Sequence, residues 1–220
     1  MANSRNNNWY EKKRNKKILI APENHLILCE GEKTEPNYFK EIKNRIDNKY
    51  KGEKIDIEII EGTKRGRLSL LKLAEEEVRK SKKKYNHVWL VYDKDEFNKD
   101  EFDNTVYKIE ALNKKGKVKY HALWSNQCIE VWFLLHFIDL KVDVSREEYI
   151  EKINENWKKH KIDEKYTKND KEIYNKLEKY QDTAIKRAKK IIEENKGKAP
   201  SKIVPGSTIY EIIEELKTYI

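Results

Sequence analysis

Four runs of strand length, each followed by a segment of helical period, confine this chain to very few folds. The runs are His25 to Cys29, the strict alternation Ile55-Asp56-Ile57-Glu58-Ile59, His87 to Tyr92 and Lys117 to Trp124. Between them, Tyr38, Phe39, Ile42 and Ile46 recur at helical spacing. Leu70, Leu71, Ala74 and Val78 do so within a segment near Leu68 to Lys84, and Phe102, Val106 and Ile109 in one that ends near Gly116. After the fourth run, Ser125 to Phe137 forms a turn entering a nearly all-apolar helix. Strands alternating with helices predict an α/β domain with a mostly parallel central sheet, flanked by helices and binding ligands at the carboxyl ends of its strands. The alternating run at Ile55 has one polar face, which suits a strand near a sheet edge.

The remainder is of different character. Residues 1–22 carry Arg5, Lys12, Lys13, Arg14, Lys16 and Lys17 against Glu11 alone, show no sustained period, and are expected to form a basic flexible arm. Residues 23–140 form the expected catalytic core. Residues 141–220 are expected to form a helical annex packed on it, with Ile173, Leu177, Ala184, Ile185, Ala188 and Ile191 at helical spacing. Gly197 to Ser207 reads as a loop, and Thr208 as the cap of a final amphipathic helix carrying Ile209, Ile212, Ile213 and Leu216.

A formal net charge of +9 on 220 residues makes polyanions, nucleic acid first, the natural partners. Much of the excess sits in the arm, so the body is only mildly basic. The lysines at 80 and 82–84 need no nucleic acid, because cations suit a helix C-terminus. Charged residues are 40% of the chain, yet the signs are mixed and aromatic residues reach 10%, which favours a folded chain with a charged surface. Two cysteines, Cys29 and Cys128, give neither a disulfide framework nor zinc-ligand spacing. With no apolar stretch of signal-peptide or membrane-spanning length, a cytoplasmic protein without a membrane partner is expected. A phosphate-cradling Walker loop is also missing, which argues against an intrinsic ATPase.

The chemistry concentrates where two of the apolar runs stop. The first gives way to Glu30-Gly31-Glu32-Lys33-Thr34-Glu35-Pro36, in which Gly31 permits a sharp turn, Thr34 is placed to cap a helix and Pro36 suits its first turn. The second delivers Asp93-Lys94-Asp95-Glu96. If the two strands are neighbours, Glu30, Glu35, Asp93 and Asp95 converge at one end of the sheet. Crowded carboxylates either raise a pKa or take up a cation. All-oxygen donors suit Mg²⁺ or Mn²⁺, and such ions beside a basic surface suit phosphodiester cleavage. The competing reading makes Asp93 and Asp95 caps of the next helix and Glu30 a solvated loop residue.

Three motifs in order, Cys29-Glu30-Gly31-Glu32-Lys33-Thr34-Glu35-Pro36-Asn37-Tyr38-Phe39, Tyr92-Asp93-Lys94-Asp95-Glu96, and Ser125-Asn126 with Glu130-Val131-Trp132 and Leu134-Leu135-His136-Phe137, make the chain resemble the RloB family. The likeness runs from about Leu26 to Leu216. It implies a Toprim-like fold and a nuclease acting in an abortive-infection system of the AbiL kind beside a partner ATPase. By that likeness Glu30 is the acid/base or metal-linked glutamate and Asp93 and Asp95 are Mg²⁺ ligands. By the related nucleases of the overcoming-lysogenization-defect type, Glu35, Ser125 and Glu130 match a second metal position. The chain departs from the family pattern at Gln127 and Ile129, where Pro and Phe are usual, and at Pro205-Gly206, where Asn-Pro precedes the final Ser-Thr. These departures concern backbone shape rather than acid groups.

Weaker candidates are Lys33, Arg65, Arg67 and Ser125 as contacts to a phosphate backbone, with a solvated turn as the plainer account of the two arginines. His136 is expected to be a buried, hydrogen-bonded histidine rather than a catalytic one, and Trp132 and Phe133 to be core. Two other functions share the carboxylates or the surface. A non-catalytic module would bind nucleic acid or the ATPase and transmit a signal. A strand-joining or primase-like enzyme would show nucleotide incorporation or topological change in place of net cleavage.

Overall fold

The computed structural model describes residues 21–62, 67–94, 99–162 and 164–220. Asp95, Arg65 and the basic arm up to residue 20 lie outside the described residues, as does the side chain of Arg67. Five strands form one sheet in the order β2-β1-β3-β4-β5. They are β1 (Glu23–Cys29), β2 (Ile55–Ile60), β3 (His87–Asp93), β4 (Lys119–Asn126) and the two-residue β5 (Gly206–Ser207). The first four are parallel, and β5 runs antiparallel to β4. The expected α/β architecture is therefore present, with β2 at the edge as its wet face requires.

Alternate residues of the strands feed two cores. Ile27, Cys29, Trp89, Val91 and Leu123 face one side, against α1 (Thr34–Tyr50), α4 (Glu130–Leu135), α5 (Arg146–Lys159), α6 (Ile173–Leu177), α7 (Gln181–Glu194) and α8 (Tyr210–Lys217). Leu26, Leu28, Val88, Leu90 and Tyr92 face the other, against α2 (Arg67–Lys80) and α3 (Lys99–Asn113). This is the period of two expected of strands covered on both faces. The larger core takes residues from both sides of residue 140, so the C-terminal helices share the interior of the sheet domain.

The short helix α4 is the keystone of that interior. Every residue from Val131 to Leu135 is fully buried, and each large apolar side chain withdrawn from water contributes roughly 1.5–3 kcal/mol. Its indole and the Nδ1 of the following His136 both have partners, while His136 Nε2 is buried without one. Trp132 Nε1 donates to the Tyr38 hydroxyl at 3.0 Å, Gln181 Nε2 donates to the same oxygen at 2.7 Å, and His136 Nδ1 lies 2.9 Å from the Trp132 carbonyl. This network joins α1, α4 and α7 and bears out the reading of His136 as buried and hydrogen-bonded.

Two expected caps are used differently. The Thr34 hydroxyl donates to the Lys168 carbonyl at 3.0 Å and makes no cap bond on α1. Thr208 does not cap α8; its hydroxyl donates to the Ala122 carbonyl and accepts from the Trp124 amide, both at 2.9 Å. Gly197 to Ser207 is also more than a loop. Ser201 docks on Asp103 through its amide and hydroxyl at 2.8 and 2.7 Å, and β5 then pairs with the carboxyl end of β4. A Cβ on Gly206 would lie 2.9 Å from the Ile203 side chain and 3.3 Å from the Trp124 ring, so the small residue permits that pairing. Among the described residues, no helix is long and apolar enough to cross a membrane.

Burial pushes the His136 imidazole down to about 4, against about 6.5 in an unfolded chain. Between these values the unfolded chain holds a proton that the fold refuses, so stability falls as pH drops from 6.5 toward 4 and levels off below. His25 and His121, pushed to about 4 by burial and then by His87, act in the same sense. Glu211, raised to about 7 by burial and then by Glu214, acts in the opposite sense, its contribution lost as pH rises through 7. The His136→Gln variant isolates one proton. Compared by denaturant unfolding at pH 7 and pH 4.5, it is expected to lose about 2 kcal/mol less than the parent.

Candidate active site

From β1 the chain passes through α1 to β2 on one side, then returns through α2 to β3 on the other. The strand order therefore reverses between β1 and β3, and the crevice outside their carboxyl ends is where a sheet of this kind holds its ligand. Glu30 follows β1 and Asp93 ends β3 there. The backbone ties each elbow to the next strand: the Glu30 amide donates to the Val91 carbonyl of β3 at 2.9 Å, and the Lys94 amide to the Ser125 carbonyl of β4 at 2.9 Å.

A cavity of about 450 Å³ opens at this point, lined by Glu30, Gly31, Glu32, Lys33, Thr34, Glu35, Asp93, Cys128, Ile129, Glu130, Arg146 and Lys168. Four of the carboxylates singled out in the sequence, Glu30, Glu35, Asp93 and Glu130, are thus brought together. Lys33 is exposed on the rim. Ser125 is paired in register with Asp93 but is 1% exposed, and its hydroxyl lies 3.0 Å from that of Ser207, which leaves it behind the cavity wall. Lys94 turns away, its ammonium donating to the Ser201 carbonyl at 3.0 Å.

Glu35 and Glu130 are buried, at 7% and 3% exposure. Glu130 opens α4 and accepts a 2.9 Å hydrogen bond from the Tyr166 hydroxyl. The charges mark their neighbours. Burial, then the charge of Glu130, pushes the Tyr166 phenol well up. Burial, then Glu130 and Asp93, does the same to the Cys128 thiol, and burial, then Glu35, to Cys29. Both thiols are held protonated, which leaves oxygen as the donor chemistry of the cavity.

Gly31 has a spatial role beyond its turn. A Cβ there would collide with the Glu35 carboxylate, at 2.7 Å from Cδ and 2.8 Å from Oε1. The same turn receives Gly62, whose amide donates to the Gly31 carbonyl at 3.0 Å with φ of +68°. Arg146, Lys168 and Tyr166 were not singled out in the sequence. They come from α5 and the loop beyond it, and the only local signal there is the Ser145/Glu148 capping box that starts α5 next to Arg146. That loop is anchored to the first elbow, because Thr34 and Asn37 donate to the carbonyls of Lys168 and Asn169 at 3.0 and 3.2 Å.

Fold and site together define a doubly wound α/β domain with an acidic, oxygen-lined cavity at its switch point. The RloB-like protein family matches residues 25–216, nearly the whole chain, and the chain belongs to that family. No curated protein and no solved structure gives a significant match.

If the Glu35 carboxylate occupies the space a Gly31 side chain would need, the two positions are energetically coupled. Gly31→Ala is expected to cost about 1–3 kcal/mol in the parent and far less in a Glu35→Ala background. Denaturant unfolding of the four members of this cycle measures the coupling.

Proposed function

We propose that this chain is a Toprim-like, Mg²⁺-dependent nuclease that cleaves phosphodiester bonds in DNA or RNA. The observation that carries the reading is the gathering of Glu30, Glu35, Asp93 and Glu130 around one cavity at the β1/β3 switch point. The donor set fits a hard cation: the carboxylates supply oxygen, and the single thiol in the lining, Cys128, is held neutral. Glu30, Asp93 and Asp95 would hold Mg²⁺ or Mn²⁺, with Glu35 and Glu130 serving a second position. Such an ion, when bound, supplies Lewis acidity at the phosphate and a nucleophile at neutral pH.

The chain's own groups supply geometry and charge. Tyr166 fixes Glu130 through its hydroxyl, and Gly31 leaves Glu35 room to turn back toward the elbow. Glu30, less buried than Glu35 and Glu130, would take a proton from an attacking water or return one to the leaving oxygen. Lys33, Arg146 and Lys168 line the same cavity and attract a phosphate backbone. The RloB-like family and its resemblance to abortive-infection components support a role as effector of a bacterial anti-phage system, working with a partner ATPase.

The test incubates the purified chain, with and without the proposed partner ATPase, with DNA and with total RNA in Mg²⁺, Mn²⁺ or chelator. Cleavage that requires the metal is expected, and Glu30→Gln or Asp93→Asn should each reduce its rate by about 100-fold or more. Nucleic-acid breakdown and toxicity that both survive these substitutions would rule the nuclease out and leave a non-catalytic signalling module.

A further inference from the structure

At the opposite, amino-terminal end of the same strands lies a second set of metal-ligating groups of different chemistry. Glu23 begins β1, His87 begins β3, and Glu215 comes from α8; their ligand atoms all lie within 4.8 Å of one another. His87 is 8% exposed and the two glutamates are half-buried. Zinc-type ligation at about 2.0–2.2 Å spaces ligand atoms by roughly 3.4 Å, a closing movement that carboxylate rotation supplies.

The surroundings are arranged as a second layer behind such a site. His87 Nδ1 lies 3.0 Å from His121 Nε2, which leaves His87 Nε2 as the nitrogen available to an ion. His25 adds an independent observation. Its Nδ1 accepts from Trp89 Nε1 at 3.1 Å, so in the neutral ring the proton sits on Nε2. That nitrogen is fully buried and has no hydrogen-bond partner, and it faces Glu23 Oε2 at 3.7 Å. A buried donor without an acceptor is costly, and a small movement of Glu23 that closed this 3.7 Å gap would give it one, in the way that groups behind a metal site hold a ligating carboxylate. Tyr219 donates to the same Glu23 oxygen at 3.1 Å. Lys119 is the basic group whose charge also reaches His87, opposing the two carboxylates.

We infer that Glu23, His87 and Glu215 form a binding site for a first-row divalent cation of the zinc class, which pins the C-terminal helix α8 to the amino ends of β1 and β3. One imidazole with two carboxylates suits Zn²⁺ and Co²⁺ better than Mg²⁺, and no residue of the site lines the cavity at the other end of the sheet. The role is structural: three elements far apart in sequence share one ion.

The full chain, stripped with chelator, would be titrated with Zn²⁺ by calorimetry and with Co²⁺ by visible absorption, and its melting temperature compared with and without Zn²⁺. One equivalent of Zn²⁺ is expected at this site, with the d–d bands of low-coordinate cobalt and a rise in Tm of about 5 °C at 100-fold excess over the dissociation constant. His87→Gln and Glu215→Gln should each lose that equivalent and the Tm response. The Glu30→Gln/Asp93→Asn variant should keep both, which separates this site from the proposed catalytic one. Glu215 is a half-buried surface position, so its variant remains informative if His87→Gln folds poorly. Absence of stoichiometric Zn²⁺ binding, or binding unchanged by both substitutions, would overturn the inference.

Discussion

The structure depends on the parallel pairing of β1 with β3. These strands are far apart in sequence, with α1, β2 and α2 intervening, yet they are neighbours from His25 with His87 to Cys29 with Val91. That pairing reverses the strand order and opens a crevice at one end. It also brings the two acidic elbows to one cavity. At the other end it stacks His25 on His87 with ring centroids 4.8 Å apart. A shift of one residue in this register would turn the strand faces over and exchange the two cores.

Much of this was legible in the sequence because it is carried by period. The four parallel strands, the edge position of β2 and the buried helix after Ser125 follow from runs of two-residue or helical repeat, and these survive folding because both faces of the sheet are covered. The carboxylates at the strand ends were legible for the same reason: strand ends are visible wherever an apolar run stops. Thr34 and Thr208 were misassigned as caps because a hydroxyl beside a helix start has a local partner in sequence. In the fold, each found a better one far away, at Lys168 and along β4. Arg146, Lys168 and Tyr166 lie in segments whose local pattern concerns helix capping and solvation. Only tertiary packing of α5 and the loop after it brings Arg146 and Lys168 to the cavity and Tyr166 to Glu130.

The two ends of the sheet differ in chemistry for an ordinary physical reason. At the carboxyl end, irregular turns bring many oxygen groups to a partly open cavity, and burial keeps the nearby thiols out of play. At the amino end, three imidazoles from adjacent strands stack against Trp89, with His121 at 3.8 Å from its ring, in a setting that holds them neutral. Histidines on neighbouring strands were visible as single letters, but nothing in their spacing revealed that register would align them.

The closure of β4 by β5 and Thr208 reaches beyond the fold itself. A parallel sheet has two borders at which another chain can add a strand. Here the carboxyl end of the border beside β4 is filled by the protein's own C-terminal segment, down to the threonine hydroxyl that answers both a carbonyl and an amide. The border beside β2 carries Asp56 and Glu58 with Lys83 against them, Lys83 lying 3.7 Å from the Glu58 carboxylate. A strand added along β2 would have to bring charges that answer that row.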